Sequence, residues 1–461
     1  SIGQMIKRYY ATKDNTITNA FRESFATSGS DANMGASDIL EVFSIYGQVL
    51  DENDAYSLEE ARILIEFDIA EIQADIAAGT LDAGAQFYLR LFNAEHGRTL
   101  PMNFELEIDT ITAPWEEGTG LDMESYMDLT YDKGSSWKEK GAGAIWTTQG
   151  GDFTGLPVTA EFDEGYEDLL VNITAFVNAW IGDPATNFGL IVKLPATATA
   201  ETRSYYTKMF YARGTSNFFK KPAIEARWSS QTTDHRTSFL SDVESTVYLY
   251  NEVRGQLTNL DSPVTVKFYE ELGGTEIAAT TAVTNPETGV YEAEVTLTTA
   301  ASTIYDVWSE DGTEVVTGSI TVLSQEQSTK PSVSDLVVST LNNQDAHSAG
   351  QTSRFYFYIR EKDWSPNIHT VATSRPDSKV YDNLKFKISK VVTDEVIFDY
   401  NMTDGSTTLS YDSNGNFFDL DISMLEPNYV YEIKLALFNV MTKSYQELPF
   451  KHRFRVVNNE Y

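Results

Sequence analysis

Residues 167–194 read EDLLVNITAFVNAWIGDPATNFGLIVKL and change their hydrophobic period twice. The run begins with apolar residues that predict a buried strand, namely Leu169, Leu170, Val171 and Ile173. It ends with FGLIVKL at 188–194, which predicts a second strand. We therefore expect two strands that are joined by a short segment of another kind.

The segment between these strands has the features of a short helix. Thr174 is the expected N-cap, because a threonine hydroxyl can accept a hydrogen bond from a free backbone N–H group. Phe176 and Trp180 then fall on one face, and Gly-Asp-Pro at 182–184 ends the helix because proline cannot continue it. We expect Trp180 to be a core residue and the helix to close one end of a β-sandwich.

Landmarks of this run, and of the chain around it, follow the pattern of a known family. They are DNTI at 14–17, NMG at 33–35, RILIEFD at 62–68, WEEGTG at 115–120, NIT at 172–174, Val177, WIG at 180–182, NFGLI at 187–191, FYAR at 210–213 and KPAIEARW at 221–228. This order resembles DNRLRE-type domains, although the family more often has Asp where this chain has Asn172. The resemblance implies a β-sandwich related to carbohydrate-binding modules, found in cell-surface, secreted and phage particle proteins.

The composition also favours β-structure. With 461 residues the chain is long enough for about two to four domains, each with its own core. Aromatic residues make up 12% of the chain, and such side chains suit a pleated, half-buried surface. There is no cysteine, which excludes a disulfide-stapled scaffold and any thiolate metal site.

The charge of the chain limits its partners. The formal charge of −34 argues against nucleic acid, which is bound by basic surfaces, and against an anionic membrane. No apolar run is long enough to span a bilayer, and the first residues contain no apolar leader region. From these features we expect an acidic, soluble protein that is made in the cytoplasm.

Polar breaks divide the chain into three predicted modules. Residues 1–228 hold the DNRLRE-like pattern, residues 240–323 form a second module and residues 333–461 a third. Residues 229–239, which are polar and rich in Ser and Thr, and residues 324–332 are predicted linkers. The expected fold is all-β and multi-domain: a jelly-roll-like β-sandwich followed by two Ig-like β-sandwiches.

Short alternating strands support the two Ig-like modules. In the second module residues 264–269 alternate, and the turn NPETG at 285–289 precedes another alternating strand, which resembles bacterial and phage Ig-like domains. In the third module residues 355–359, 384–388 and 429–437 alternate in the same way.

We find no motif that points to catalysis or to a cofactor. The histidines are scattered singly, without the spacing of a zinc site, and there is no G-x-S-x-G elbow and no P-loop. DSNGNFFD at 412–419 begins like a calcium loop, but Phe417 and Ser423 stand where an EF-hand has Gly and Glu. We favour a hairpin turn there, and we expect no catalytic residue, no metal and no cofactor.

One loop of the first module carries residues that could bind a glycan. Trp115, Glu116 and Glu117 are adjacent, and Trp137 and Trp146 lie in the same irregular stretch. An aromatic ring can stack on a sugar ring while carboxylates accept hydrogen bonds from its hydroxyls. These five residues are therefore candidate glycan-binding residues, with a structural role as the alternative.

Three functions remain open. The multi-sandwich layout and the lack of catalytic motifs favour a non-enzymatic structural component of a bacteriophage virion, such as a neck, tail or head-associated protein. The alternative is a carbohydrate-binding adhesin or host-recognition module, with the tryptophan loop as its sugar platform. A polysaccharide-active enzyme with accessory sandwiches is the third.

The virion hypothesis sets further expectations. Other virion proteins would be the partners, and the chain would form a homo-oligomer in a symmetric assembly that is built in the host cytoplasm. Docking surfaces should be less acidic than the rest of the chain. The third module, with its lysines and arginines, supplies Lys385 and Lys387 as candidates.

Overall fold

The computed structural model of the chain is all-β, with 49% strand and 9% helix, which confirms the predicted fold class. It forms two compact units, Ile6–Arg227 and Trp228–Tyr461, the latter together with Ser1–Met5. The structure describes residues 5–22, 25–50, 53–121, 134–324, 333–342, 344–364, 376–439 and 442–458.

The unit Ile6–Arg227 is built mainly of antiparallel strands. Its strands are β1 Ile6–Thr18, β2 Ile39–Leu50, β3 Tyr56–Phe67, β4 Gln86–Leu91, β5 Phe104–Thr110, β6 Glu139–Gly141, β7 Ala144–Ile145, β8 Val158–Phe162, β9 Leu169–Asn172, β10 Leu190–Lys193, β11 Tyr205–Tyr211 and β12 Ala223–Arg227. Its helices are α1 Ala70–Ala77, α2 Thr174–Gly182 and α3 Ala196–Thr199, with 3-10 turns at Pro184–Thr186 and Phe218–Lys220. Across the described residues of the chain, no helix has the length and apolar character needed to cross a bilayer.

Strand β1 belongs to both large sheets of this unit. Up to Tyr10 it pairs with β12, and from Ala11 onward it pairs with β3, with a register shift between Ala11 and Lys13. One sheet therefore has the strand order β1-β12-β4-β9. The other has the order β8-β5-β10-β3, in which β3 also pairs with β1 and with β2, and β2 pairs with β11. A bulge re-aims the side chains of a strand, which allows β1 to serve two sheets.

The run 167–194 folds largely as its sequence predicts. Strand β9 lies at the edge of one sheet and β10 inside the other, so α2 crosses from sheet to sheet. Trp180 is buried, and α2 ends at Gly182 before the proline.

Two details of this run differ from the prediction. Leu170 is 42% exposed, because β9 is an edge strand whose residues alternate between buried and exposed. The N-cap is Ile173 and not Thr174, because the Thr174 hydroxyl accepts a hydrogen bond from the backbone N–H of Phe87 at 2.9 Å.

The outer face of the β3-β10 sheet is covered by a second apolar core. Successive side chains of a strand point to opposite faces, yet Leu64 is as buried as its neighbours Ile63 and Ile65. The reason is that the loop after β5 folds over this face. The cluster consists of Ile17, Leu64, Ile111, Trp115, Trp137, Trp146 and Ile191.

The unit Trp228–Tyr461 holds the second and third modules. Its strands are β13 Phe239–Leu240, β14 Ser245–Tyr250, β15 Glu252–Val253, β16 Gln256–Leu257, β17 Val264–Tyr269, β18 Glu276–Thr280, β19 Val283–Glu287, β20 Val290–Val295, β21 Thr303–Glu310, β22 Thr313–Leu323, β23 Leu336–Thr340, β24 Ala346–Ser348, β25 Thr352–Glu361, β26 Leu384–Lys390, β27 Glu395–Phe398, β28 Ser410–Asp412, β29 Gly415–Asp421, β30 Val430–Asn439 and β31 Ser444–Val457. 3-10 turns lie at His235–Thr237, Val333–Asp335 and Ile422–Met424.

Each of these modules is a β-sandwich. In the second, the sheet β13-β22-β21-β17-β18 packs against β14-β20-β19 around a core that includes Phe268 and Trp308. In the third, β23-β25-β29-β28 faces β24-β31-β30-β26-β27. Phe386 and Phe418 stack between these two sheets with their ring centroids 4.0 Å apart.

The first predicted linker is packed into this unit. Residues 229–239 contain the turn His235–Thr237, and β13 pairs in parallel with β22. Phe239 is fully buried in the core of the second module. The structure thus differs from the prediction at 229–239, because polar side chains there bond to distant strands. Residues 325–332 of the second predicted linker lie outside the described residues.

Candidate functional site

The three tryptophans of the predicted sugar platform are buried. Trp115, Trp137 and Trp146 keep 3%, 7% and 3% of their surface exposed. The indole N–H groups of Trp115 and Trp146 donate to the backbone oxygens of Phe188 and Ser136 at 2.8 and 2.9 Å. Stacking on a sugar needs an exposed ring face, so the stacking role is wrong for these three residues. They are core residues, because the sheet face beneath them is apolar.

The two adjacent carboxylates of the loop take different places. Glu117 accepts hydrogen bonds from the Arg213 guanidinium through both oxygens, at 2.7 and 2.9 Å, and from the backbone N–H of Asp14 at 2.9 Å. The Asp14 carboxylate in turn accepts from the backbone N–H of Arg213. Glu116 is exposed. Glu117 therefore fastens the loop to β1 and to the segment after β11, and it does not form a pair with Glu116.

Asn33 holds the other side of this loop. Its Nδ2 donates to the backbone oxygens of Glu117 and Ser135 at 2.7 and 2.8 Å. Its Oδ1 accepts from the backbone N–H groups of Gly35 and Gly120 at 3.1 and 2.9 Å. The asparagine, glutamate, arginine and glycines on which the family resemblance rests thus meet in one network. Their arrangement gives them a structural role, which is to fix the loop over the second core.

Asp14 has an unusual environment within this network. Burial, with a contribution from the neighbouring Glu117 carboxylate, raises the pKa of Asp14 to about 7. A raised carboxyl pKa often marks a functional site, but structural networks produce the same effect. Because Asp14 is 2% exposed and faces Glu117 and Arg213, we assign it to the network.

An open cleft of about 480 Å³ lies beside the tryptophan loop. Its lining consists of Thr112, Ala113, Lys140, Thr147, Thr148, Gly151, Asp152 and Phe153. Although burial opposes it, hydrogen bonds from the backbone N–H groups of Thr147 and Thr148 lower the pKa of Asp152. Hydroxyls, a carboxylate, an ammonium group and a half-buried ring are groups that a sugar site can use. These groups lie next to the residues that the sequence predicts for a glycan.

The predicted docking residues are only partly accessible. Lys385 is 6% exposed, its Nζ donates to the Thr408 hydroxyl at 2.8 Å, and burial lowers its pKa. Its docking role is therefore wrong, because the chain around Thr408 covers β26 at this point. Lys387 lies 3.8 Å from the carboxylate of Asp399, and its role stays a prediction.

Residues 412–419 form the predicted hairpin turn. Strands β28 and β29 meet at the pair Asp412 and Gly415, and Gly415 has a φ of +139°. The Asp412 carboxylate accepts from the Tyr356 hydroxyl at 2.6 Å and from the backbone N–H of Asn414 at 2.8 Å. Within the described ranges of the chain, no group of three or more His, Cys, Asp or Glu side chains is placed to hold a metal ion.

Residues 231–239, which we call the joint, bind the second module to the third. The backbone N–H of Tyr411 donates to Thr232 O at 2.9 Å, and the backbone N–H of Asp234 donates to Tyr411 O at 3.1 Å. Residues 232–234 therefore run parallel to β28 and pair with it through a single bridge, between Thr233 and Tyr411. The sequence offers no local signal for this arrangement, because the partners are far apart along the chain.

The other end of the joint enters the second module. The Arg236 guanidinium donates to both oxygens of Asp306 at 2.9 and 2.6 Å, and Trp308 Nε1 donates to the same carboxylate at 2.7 Å. Asp306 is fully buried. The His235 ring accepts from the backbone N–H of Thr246 at 2.9 Å, and its Nε2 lies 3.1 Å from the Tyr411 hydroxyl.

Asp234 lies at the centre of the joint and is 1% exposed. Its Oδ1 accepts from the backbone N–H of Arg236 at 3.1 Å, whereas Oδ2 has no hydrogen-bond partner among the residues that the structure describes. Burial, with contributions from the Asp412 and Asp306 carboxylates, raises the pKa of Asp234 to about 7, although Arg236 opposes the shift. The carboxyl group of Asp234 therefore titrates near neutral pH.

Comparisons with known proteins give no family. No protein-family model and no curated protein matches the chain. Among solved structures it is similar to the Yersinia pseudotuberculosis adhesin InvE, with 15% identity over 47% of this chain and 55% of that chain and a TM-score of 0.15. The Escherichia coli adhesin FdeC gives 10% identity, 54% and 77% coverage and a TM-score of 0.16. The chain spans about half the length of the InvE structure, and likenesses at these TM-scores carry no argument about function.

Proposed function

We propose that the chain is a non-enzymatic structural component of a bacteriophage virion, which docks onto other virion proteins as a homo-oligomer. The observation that carries this proposal is the joint, because it fastens two sandwiches into one compact unit. Fixed spacing between modules serves a protein that positions other proteins. The polar cluster around Asp14 and Glu117 is likewise used to hold a loop in place. The virion setting and a relation to DNRLRE-type domains rest on the sequence resemblance.

Immunogold labelling of purified particles tests this proposal. An antibody raised against the purified chain should label particles at one repeated position, and light scattering of the free chain should give a discrete oligomer. A chain that stays in the supernatant when the particles are pelleted contradicts the proposal. A monomer that binds glycans on an array favours the second candidate function.

The second candidate is a carbohydrate-binding adhesin, and the cleft beside the tryptophan loop is the observation in its favour. Phe153 is half-buried, and Asp152 and Lys140 lie in the same lining. If the cleft binds a sugar, Phe153→Ala should weaken glycan binding at least about tenfold, since stacking of the sugar on the aromatic ring is lost. Leu156→Ala, at a residue with 75% exposure outside the cleft, is the matched control.

A further inference from the structure

Strands β2 and β3 extend beyond the rest of their sheet. The neighbour of β2, strand β11, ends its pairing at Ser44, and the neighbour of β3, strand β1, ends its pairing at Ala61. Among the described residues, the strand pairing past these points is between β2 and β3 alone. Residues 45–50 and 56–58 thus form a two-stranded ribbon, which together with the described turn residues 53–55 we call the arm.

One face of the arm is apolar and exposed. Tyr46 pairs with Leu58 and Leu50 pairs with Tyr56, and because paired residues share a face the four side chains lie together. Tyr56 is 59% exposed, Leu50 52% and Leu58 37%. The rings of Tyr46 and Tyr56 are 5.6 Å apart. A two-stranded ribbon is marginally stable in water by itself, and exposed apolar patches of this kind mark interaction sites.

The root of the arm is firmly held. Glu59 is 1% exposed, and its carboxylate accepts from the backbone N–H of Phe21 at 2.8 Å and from the Ser57 hydroxyl at 3.3 Å. Glu60 accepts from the Arg62 guanidinium at 2.7 Å. These buried contacts fix the direction of the ribbon, so its apolar face is presented to the outside.

The charge of the arm indicates which partner covers it. Among the described residues of the arm there is no Lys, Arg or His, and the charged side chain is the exposed carboxylate of Asp54. The whole chain carries a formal charge of −34, so a second copy would bring a further acidic surface to the contact. A partner that offers positive charge around an apolar groove satisfies both features of the arm.

We propose that the arm docks into an apolar groove bordered by lysine or arginine on a different protein. The inference deepens the proposed structural role and rests on it, since a virion component must bind neighbours. Contact through an aromatic and leucine face, steered by opposite charges at the rim, is a common design of protein interfaces.

A peptide pair tests the arm in the full-length chain. The probe is an amphipathic strand peptide of alternating Leu and Lys, and its control has Glu in place of Lys. We expect the wild-type chain to bind the Lys peptide. The double variant Tyr56→Ser/Leu58→Ser should bind it at least about tenfold more weakly. Leu156→Ser, at an exposed leucine outside the arm, should bind it like the wild type. Asp54→Asn, which suits the positive φ of 59° there, should weaken binding and its salt dependence.

Several results would overturn the proposal. One is that the double variant and the wild type bind the Lys peptide equally well. Another is that the wild type binds the Glu and Lys peptides equally well. The third is that the wild type forms a dimer and the double variant does not. Because all these side chains are exposed, circular dichroism and urea unfolding should show that the variants remain folded. The peptide assay needs no virus particle, so the two proposals can fail separately. If immunogold labelling fails but the peptide binds as expected, the virion setting is contradicted and the docking role of the arm is still supported.

Discussion

Gly120 lies so close to Asn33 that the backbone there leaves no room for a side chain. A Cβ atom at Gly120 would stand 1.9 Å from Asn33 O, whereas Gly97 has no heavy atom within 4 Å of such an atom. We expect Gly120→Ala to lower the free energy of unfolding by about 3 kcal/mol, and Gly97→Ala to change it by less than about 0.5 kcal/mol. Urea unfolding followed by tryptophan fluorescence measures both. Equal midpoints would mean that the loop shifts without cost.

Asp234 makes stability depend on pH in a defined direction. Its pKa is raised from 3.8 to about 7 on folding, so its contribution to stability is complete below 3.8 and is lost as the pH rises through 7. Asp234→Asn keeps the acceptor for Arg236 N–H and supplies a donor that faces two carboxylates. We expect the variant to be more stable than the wild type at pH 8, by on the order of 2 kcal/mol, and the difference to be smaller at pH 5.

Thermal unfolding at both pH values measures this effect. Asp261→Asn, at an exposed position of the same unit, is the control and should change the melting temperature little at either pH. A variant that loses stability at pH 8 would show that Asp234 is ionised in the folded protein and bound to a partner.

The residues of the candidate site could be found only in part from the sequence. The motif positions Asn33, Glu117 and Arg213 were marked by the family resemblance, and the structure brings them together. Their contacts could not be read from spacing, since Glu117 and Arg213 are far apart in the chain. The tryptophans were placed wrongly because an aromatic cluster in a loop has the same composition whether it faces water or a second core.

At the scale of single elements, local chemistry decided which predictions succeeded. Helix α2 ends where glycine and proline require an end, and the 412–419 turn follows from Asn-Gly. The joint was predicted to be a linker because Ser, Thr and Asp side chains favour loops in general, whatever contacts the loop makes. Its actual partners, β28 and Asp306, lie in two different modules, and no window of sequence contains them.

The joint should make the second and third modules unfold together. Replacement of residues 231–234 by Gly-Ser-Gly-Ser removes the Asp234 side chain and weakens the backbone bridge to β28, because glycine disfavours extended pairing. We expect calorimetry to resolve one transition of this unit into two, and proteolysis within 229–239 to become faster. The same replacement at 271–274, an exposed loop between β17 and β18, should leave a single transition. Unchanged cooperativity in the first variant would mean that the joint does not couple the modules.

At the scale of the whole molecule, the surface is strongly acidic, because 68 acidic residues stand against 34 basic ones. Among the described residues both kinds of charge are partly buried, so burial does not remove this excess. The buried basic residues are Arg8, Lys193, Lys208, Lys385 and Lys390. Some of them hold buried carboxylates, as Arg8 does for Glu225, whose pKa is lowered to about 2 although burial opposes the shift. Another protein that docks onto this chain therefore meets a strongly negative surface, which favours a partner with a basic docking surface.

The boundary of the second module provides the last prediction. If residues 229–239 were a linker, a fragment of residues 240–323 would be as stable as one of residues 234–323. In the structure the shorter fragment lacks Phe239, which is fully buried, and Arg236, which pairs with the fully buried Asp306. Loss of a core aromatic ring and of one partner of a buried ion pair each costs about 3–5 kcal/mol.

We therefore expect fragment 234–323 to unfold cooperatively in urea and fragment 240–323 to be largely unfolded already in buffer. The longer fragment with Arg236→Met should lie between them, because it keeps Phe239 but leaves the Asp306 carboxylate without its ion-pair partner. If the two fragments share one urea midpoint, residues 229–239 do not belong to the core of the module and the linker prediction is the better description of this segment.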